Sequence, residues 1–338
     1  MLKLGNLVLC QRCLSEGWKI SSWRLQTQIH LNNVMKNNRH TLSVKEINIP
    51  AAWGHIAGKW WGNPDVQPVF AIHGVQDNAA TFNTLVPLLD VEAVLAIDLP
   101  GHGQSTHIPS GFPYHYMDAV CILRYMIKHH FKWSDPLVLL GHSFGSNLSF
   151  VYAALYPDQV SKYISLDCSR HHMSEDATTL IDSMRNTIDK MLSLEDKTDP
   201  PEYTEEELFD MFFKARRGPQ GWTTKEGCKH LLSRGTSKLP SGKVFLSRDP
   251  KLKLNAFGRL TFESWLKLAE KITCDMLSIQ AENGVVRSDS KGEFYQKTVN
   301  IILNNSPKSK HVILPGYHHV HLDNPKIVAN EINNFLSS

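Results

Sequence analysis

Four short apolar runs constrain this chain more than any other feature: Pro68–Ile72, Ala93–Ile97, Pro136–Leu140 and Tyr163–Leu166. Each stops at a loop opened by Gly, Asp or a His-Gly pair, and helical stretches lie between them at Thr81–Leu89, Tyr116–His130 and Asn147–Tyr156. Runs that are apolar but for Ser165, rather than alternating, read as strands buried on both faces. With helices between them they predict a mainly parallel sheet with helices on both faces. Upstream, Thr41–Ile49, which alternates and ends at Pro50, and Trp53–Trp61, which carries Gly54 and Gly58, predict a pair of antiparallel strands. The pattern changes at residue 169, where helices are expected over Ala177–Ser193, Thr204–Ala215, Thr224–Ser233 and Thr261–Lys271. Strands return at Met276–Gln280 and His311–Leu314, and a helix closes the chain from Pro325 to Leu336. The expected organisation is an N-terminal extension over 1–40, a core in two parts, 41–168 and 273–338, and a helical lid over 169–272. The lid falls between the sixth and seventh strands of an eight-stranded sheet. It would cover the C-terminal edge, where open α/β sheets bind ligands.

Charge separates the extension from the rest. Residues 1–40 hold six basic side chains against one acid, Glu16, so they carry +5 of a total of +3, and the remainder sums to −2. The basic balance belongs to a leader rather than to a nucleic-acid-binding surface. Such a basic, acid-poor segment has the composition of a mitochondrial-type presequence, and equally of an unstructured extension. A cytoplasmic protein is expected, or a mitochondrial one if residues 1–40 are a presequence. No apolar run approaches the ~20 residues that span a bilayer. Six scattered cysteines do not make a disulfide framework. The Cys10/Cys13 pair has no second pair or His cluster nearby to complete a zinc site.

The chemistry gathers around Gly141-His142-Ser143-Phe144-Gly145, directly after one strand and directly before a helix. In that frame a G-x-S-x-G forces a tight turn that lifts the Ser143 hydroxyl above the sheet. The loop His73-Gly74-Val75-Gln76 follows the third strand. The backbone N–H groups of Val75 and Phe144 are the expected donors to a developing oxyanion. Asp77 and Asn78 are expected to cap the helix that begins near Ala79. A serine nucleophile needs a base that takes and returns a proton near neutral pH, hence a histidine. The segment after the last strand offers three, His318, His319 and His321, and spacing alone does not choose among them. Two acids could orient it: Asp167, at the end of the sixth strand, and Glu282, in the loop after the seventh.

Taken together these motifs resemble the α/β-hydrolase superfamily, and more narrowly its serine hydrolase-like (kraken-like) proteins. The resemblance runs from about residue 43 to the C-terminus. It rests on Trp53–Gly62, His73–Asn78, Asp98-Leu99-Pro100-Gly101-His102-Gly103, Gly141–Gly145, Ser247-Arg248-Asp249-Pro250 and His318–Pro325. It implies that the histidine seven residues before Pro325, His318, is the base. Gly284 stands where such families usually place their acid. Related lidded hydrolases, haloalkane dehalogenases among them, carry it after the sixth strand, which favours Asp167. Val75 stands where relatives often have an aromatic residue, and Ser146 replaces a common glycine.

Dehalogenases and epoxide hydrolases of this fold use an aspartate nucleophile, so Ser143 points instead to acyl transfer: attack on an ester, thioester or amide through an acyl-enzyme. The expected activity is hydrolysis of a carboxylic ester, with a small-to-medium hydrophobic acyl compound as substrate. Carbon–carbon bond hydrolysis uses the same residues. The competing class is a binder that keeps the fold and pocket without turnover. No metal and no organic cofactor is implied, since side chains and water suffice.

Overall fold

The computed structural model describes residues 42–168, 177–196, 199–217, 221–254, 260–285 and 290–338. The extension 1–40 with Cys10 and Cys13, and the start of the expected lid, lie outside the described residues. Strands β1 (Val44–Ala51), β2 (Gly54–Gly62), β3 (Val69–Ile72), β4 (Ala93–Ile97), β5 (Leu137–His142) and β6 (Val160–Leu166) precede the helical insertion. Within the insertion lies a small hairpin, β7 (Thr236–Lys238) with β8 (Val244–Leu246), and after it come β9 (Asp275–Asn283) and β10 (Lys310–Tyr317). The main sheet has eight strands in the order β1-β2-β4-β3-β5-β6-β9-β10. The β1/β2 and β2/β4 pairs are antiparallel and the remaining pairs parallel. Pro50 sits within β1 without breaking it. β1 is an edge strand, where a missing N–H need cost no ladder bond.

Two apolar layers cover the sheet. One face packs Phe70, Leu95, Leu139 and Tyr163 against helices α1 (Tyr116–Tyr125) and α2 (Phe144–Leu155), with Trp265 beside them. The other packs Ala71, Leu140, Ile164 and Leu277 against the C-terminal residues Val328, Ile332 and Phe335. Successive residues of one strand thus enter opposite cores, as buried strands require.

The insertion comprises α3 (Ala177–Glu195), α4 (Glu205–Arg217), α5 (Lys225–Gly235), the hairpin and α6 (Phe262–Ala269). Its apolar face is buried: Phe209, Phe212 and Phe213 pack with Cys228 and Leu231 of the insertion and with Leu322 from beyond β10. That stripe is therefore core packing. Two buried arginines tie the insertion to the sheet's edge. Arg216 meets Asp77 at 2.6 Å, and Arg234 meets Asp98 at 2.8 Å while also reaching Glu46. The chain ends with α7 (Ser290–Asn305), the single turn α8 (Val320–Asp323) and α9 (Pro325–Leu336).

Two helix expectations need correction. Thr81–Leu89 is not a helix but two 3₁₀ turns, Ala79–Phe82 and Val86–Leu88. Pro87 falls inside the expected span, where it lacks the N–H a helix interior needs and is accommodated at the start of a new turn. Tyr116–His130 is helical, but its last five residues, Met126–His130, widen into a π turn.

Candidate active site

Sheet register brings the chemistry together. His142 of β5 pairs with Leu166 of β6, so Ser143 and Asp167 are the next residues out on neighbouring strands. Leu166 pairs in turn with Ile279 of β9, and Asn283 of β9 with Tyr317 of β10, which delivers His318 to the same edge. Ile72 pairs with Gly141, which sets the His73–Gln76 loop on the opposite side of Ser143.

Ser143 has φ 51° and ψ −115°, a strained conformation for a residue with a side chain. Its hydroxyl does not cap the helix that begins at Phe144. The turn is possible because its flanks carry no side chain: a Cβ on Gly145 would lie 2.0 Å from the Ile72 carbonyl oxygen, and one on Gly141 2.4 Å from the Ser146 Cα. Ser146 is absorbed elsewhere, since its hydroxyl bonds Tyr163 and Ser165. A cavity of about 140 Å³ is lined by Ser143, Phe144, Gly74, Val75, His318 and His319, with Arg216 and Trp222 contributed by the insertion.

His318 is 4% exposed, and its Nδ1–H donates to Asp167 Oδ2 at 2.6 Å. That bond fixes the tautomer and leaves the Nε2 lone pair in a ring that shares its cavity with Ser143. Burial pushes the imidazole below its ordinary 6.5, and the hydrogen bond and charge of Asp167 oppose that shift. Asp167 is fully buried, has φ 40°, and also accepts from the N–H groups of Ala281 (2.9 Å) and Val285 (3.2 Å). Gly284 sits against it: a Cβ there would fall 2.3–2.6 Å from the Asp167 carboxyl atoms. The position that looks like a missing acid is the space the Asp167 carboxylate fills. Glu282 is exposed, and no hydrogen bond joins it to His318 among the described residues.

The expected capping pair is half corrected. Asn78 does cap, accepting from Ala80 N–H at 3.0 Å. Asp77 does not. It receives Arg216 Nη1 at 2.6 Å and His319 Nε2 at 2.9 Å. Burial acts to raise its carboxyl, yet Arg216 and His319 hold it well below the usual range. His319 donates both its backbone N–H and its Nδ1–H to the Trp222 carbonyl, at 3.0 and 2.9 Å. His142, fully buried and pushed down to about 3 by that burial, stays neutral and donates from Nε2 to the His318 carbonyl at 3.1 Å. His321 bonds Thr81 at 2.9 Å and is held neutral by burial. The pairing of Asp77 with Arg216 and His319 carried no signal in the sequence, because these partners are 139 and 242 residues away along the chain.

Ligand atoms of Asp77, His142 and His319 lie within 4.8 Å of one another, the spacing of a metal-binding group. Arg216 already neutralises that carboxylate, and His319 occupies its other oxygen. A cation there would have to displace an arginine, so the cluster is a hydrogen-bonded ion network in form.

A second cavity, about 250 Å³, shares Val75 and Phe144 with the first. Its walls include Leu99, Ile108, Tyr116, Ile122 and Leu254, with Thr187 and Met191 from the insertion.

Residues 67–202 match the α/β hydrolase fold family. A probable serine hydrolase of Drosophila melanogaster is 34% identical over 299 residues, covering 87% of this chain and 88% of that protein. A mouse serine hydrolase-like protein is 30% identical over 302 residues, 86% and 95% of the two chains. Among solved structures, a hypothetical protein of Pseudomonas aeruginosa superposes with a TM-score of 0.74 at 27% identity, covering 87% of this chain and all of that one. The thioesterase domain from the curacin biosynthetic pathway does so with 0.69 at 21% identity, covering 86% and 99%. The chain belongs to the α/β-hydrolase superfamily, and within it to the serine hydrolase-like proteins. The names of these relatives support a hydrolase. No helix among the described residues is long and apolar enough to cross a membrane.

Proposed function

We propose that this protein is a serine hydrolase acting on a carboxylic ester or a related acyl compound. The observation that carries the reading is the 2.6 Å contact between His318 Nδ1 and Asp167 beside a cavity lined by Ser143, Val75 and Phe144. His318 Nε2 takes the Ser143 proton as the hydroxyl oxygen attacks the acyl carbon. Asp167 holds the ring in the required tautomer and stabilises the imidazolium that forms. The N–H groups of Val75 and Phe144 receive the oxyanion, each such donor being worth roughly 10²–10³ in rate. Collapse releases the alcohol with a proton from His318, and a water deprotonated by the same imidazole cleaves the acyl-enzyme.

The neutral, buried His142 supports this assignment of His318, because it pins the backbone carbonyl of the base. The larger cavity, which shares Val75 and Phe144 with the smaller, suits the apolar part of the acyl group. Residues 169–272 act as the lid: Arg216 and Trp222 form a wall of the smaller cavity, and Thr187 and Met191 part of the larger. Glu282 has no part in the reading. This chemistry calls for no metal or organic cofactor.

The test is labelling of purified protein by a fluorophosphonate probe, beside Ser143→Ala and His318→Ala. Labelling of the wild type is expected, with kcat on an activated ester falling by roughly 10⁵–10⁶ in either variant. A well-folded wild type that admits the probe but does not label would overturn the hydrolase reading and leave a ligand-binding relative.

A further inference from the structure

Two guanidinium groups converge on one backbone carbonyl at the edge of the site. Arg216 Nη2 donates to Gln76 O at 2.9 Å, and Arg248 Nη1 donates to the same oxygen at 3.0 Å. The ring of Phe212 lies beneath both, 4.7 Å from the first guanidinium and 6.0 Å from the second. Gln76 follows Val75, the proposed oxyanion donor, and holds a positive φ of 61°.

The charges do not balance. Asp77 neutralises Arg216 at 2.6 Å, but among the described residues no carboxylate comes within 4 Å of Arg248. Arg248 is half-buried, and burial together with the neighbouring Arg216 pushes it down to about 10. A partly buried cation held beside another cation is unfavourable unless enough negative charge joins it. Beside a carbonyl dipole and an aromatic face, the anion acting on Arg248 is Asp77, which already pairs with Arg216, so two guanidiniums share one carboxylate. Arg216, which shares that carbonyl, also lines the cavity of Ser143. Planar guanidinium forks suit oxyanions, carboxylate and phosphate alike.

We propose that Arg248, with Arg216, binds an oxyanion carried by the substrate, so that the enzyme selects acyl compounds bearing a carboxylate or phosphate over neutral ones. This rests on the hydrolase reading above and refines its substrate class. The anion can belong to the acyl half or to the leaving group, and the test has an arm for each.

On the acyl side, kcat/KM is compared for mono-4-nitrophenyl glutarate and the neutral 4-nitrophenyl valerate. On the leaving-group side it is compared for butyryl-coenzyme A and butyryl-N-acetylcysteamine. The readout is the charged-to-neutral ratio, which cancels general damage to the fold. In one arm the wild-type ratio is expected to favour the charged substrate by about ten- to a hundredfold. Arg248→Gln should erase that preference, Arg248→Lys should keep part of it, and added salt should weaken it in the wild type. A ratio near one in both arms, or one unchanged in Arg248→Gln, overturns the proposal.

Calorimetric binding of monomethyl glutarate against methyl valerate and of coenzyme A against N-acetylcysteamine, to Ser143→Ala, reads the same selectivity without turnover. A protein that turns over nothing but prefers the anion in one pair, and loses that preference in Arg248→Gln, sustains this inference while the hydrolase reading fails. Equal binding of charged and neutral partners in both pairs defeats the inference whatever the turnover. If Arg248→Gln does not fold, Arg248→Lys and the salt dependence decide.

Discussion

His318 and His319 are consecutive, both buried, and each meets a buried aspartate, yet the two pairs are built for different ends. His318 gives Nδ1 to Asp167 and keeps Nε2 uncommitted among the described residues. His319 spends both ring nitrogens, on Asp77 and on the Trp222 carbonyl. Among the described residues Asp167 takes two backbone N–H groups and no cation, so its remaining acceptor strength goes to the imidazole. Asp77 is answered by Arg216. The first pair suits proton transfer, since one nitrogen is oriented and the other left to react. The second suits anchorage, because it fastens the insertion to the loop that carries Val75. A histidine–aspartate contact alone therefore says little; which nitrogen it uses, and what else holds the carboxylate, decides.

The strongest way to break this comparison is to neutralise each aspartate in turn. Asp167→Asn is expected to lower kcat by about 10⁴, through loss of the tautomer and of the stabilised imidazolium, while leaving the fold intact. Asp77→Asn should do the reverse. It leaves Arg216 buried without its counter-charge, at a cost of about 3–5 kcal/mol of stability in urea unfolding, and lowers kcat far less. The Asp77 contribution has a defined pH window. Its folded carboxyl lies well below the unfolded value, so the stabilisation is complete above about pH 4 and fades as pH falls toward the folded value. Exposed Glu282 is the control, and Glu282→Gln should stay within about twofold of wild type in rate. Equal losses of turnover from Asp167→Asn and a well-folded Asp77→Asn would erase the distinction.

A subtler probe acts on the space around Asp167 rather than on its charge. Gly284→Ala would put a methyl group where the carboxylate now lies, 2.3–2.6 Å from its atoms. Shifting the carboxylate by about an ångström is expected to lower kcat by roughly 10²-fold, with urea unfolding little changed. Wild-type rates in Gly284→Ala would mean that the carboxylate position does not matter to the chemistry.

The sequence made some of this plain and hid the rest for identifiable reasons. The buried strands and the Ser143 turn are local: apolar runs of strand length, glycines where backbones touch, and a helix directly after. The acid was ambiguous because its placement is a matter of register. Asp167 reaches His318 only because β6 lies beside β9 and β9 beside β10, and 151 residues separate the partners. Gly284 reads as an absence in one dimension and as a fitted space in three. Asp77 beside Asn78 looked like a second cap, since both are common N-cap residues; only the arrival of Arg216 from α4 separates them. Pro87 was a legible warning against a helix over Thr81–Leu89. The hairpin β7/β8 is three residues a side, too short for periodicity to register.

The finest test asks how far Asp167 sets the working range of its histidine. Burial lowers the His318 imidazole from 6.5, and the Asp167 hydrogen bond and charge push back. A general base must be neutral, so kcat/KM should rise with pH through a value below 6.5 and then level off. Removing the opposing contribution in Asp167→Asn leaves burial to act alone, and the acid limb of the residual activity should then move to still lower pH. The corresponding change at the other pair, His319→Gln, leaves Asp167 in place and should shift that limb much less. A limb that moved upward in Asp167→Asn would mean that the carboxylate does not stabilise the imidazolium, and the contrast between the two pairs would lose its electrostatic half.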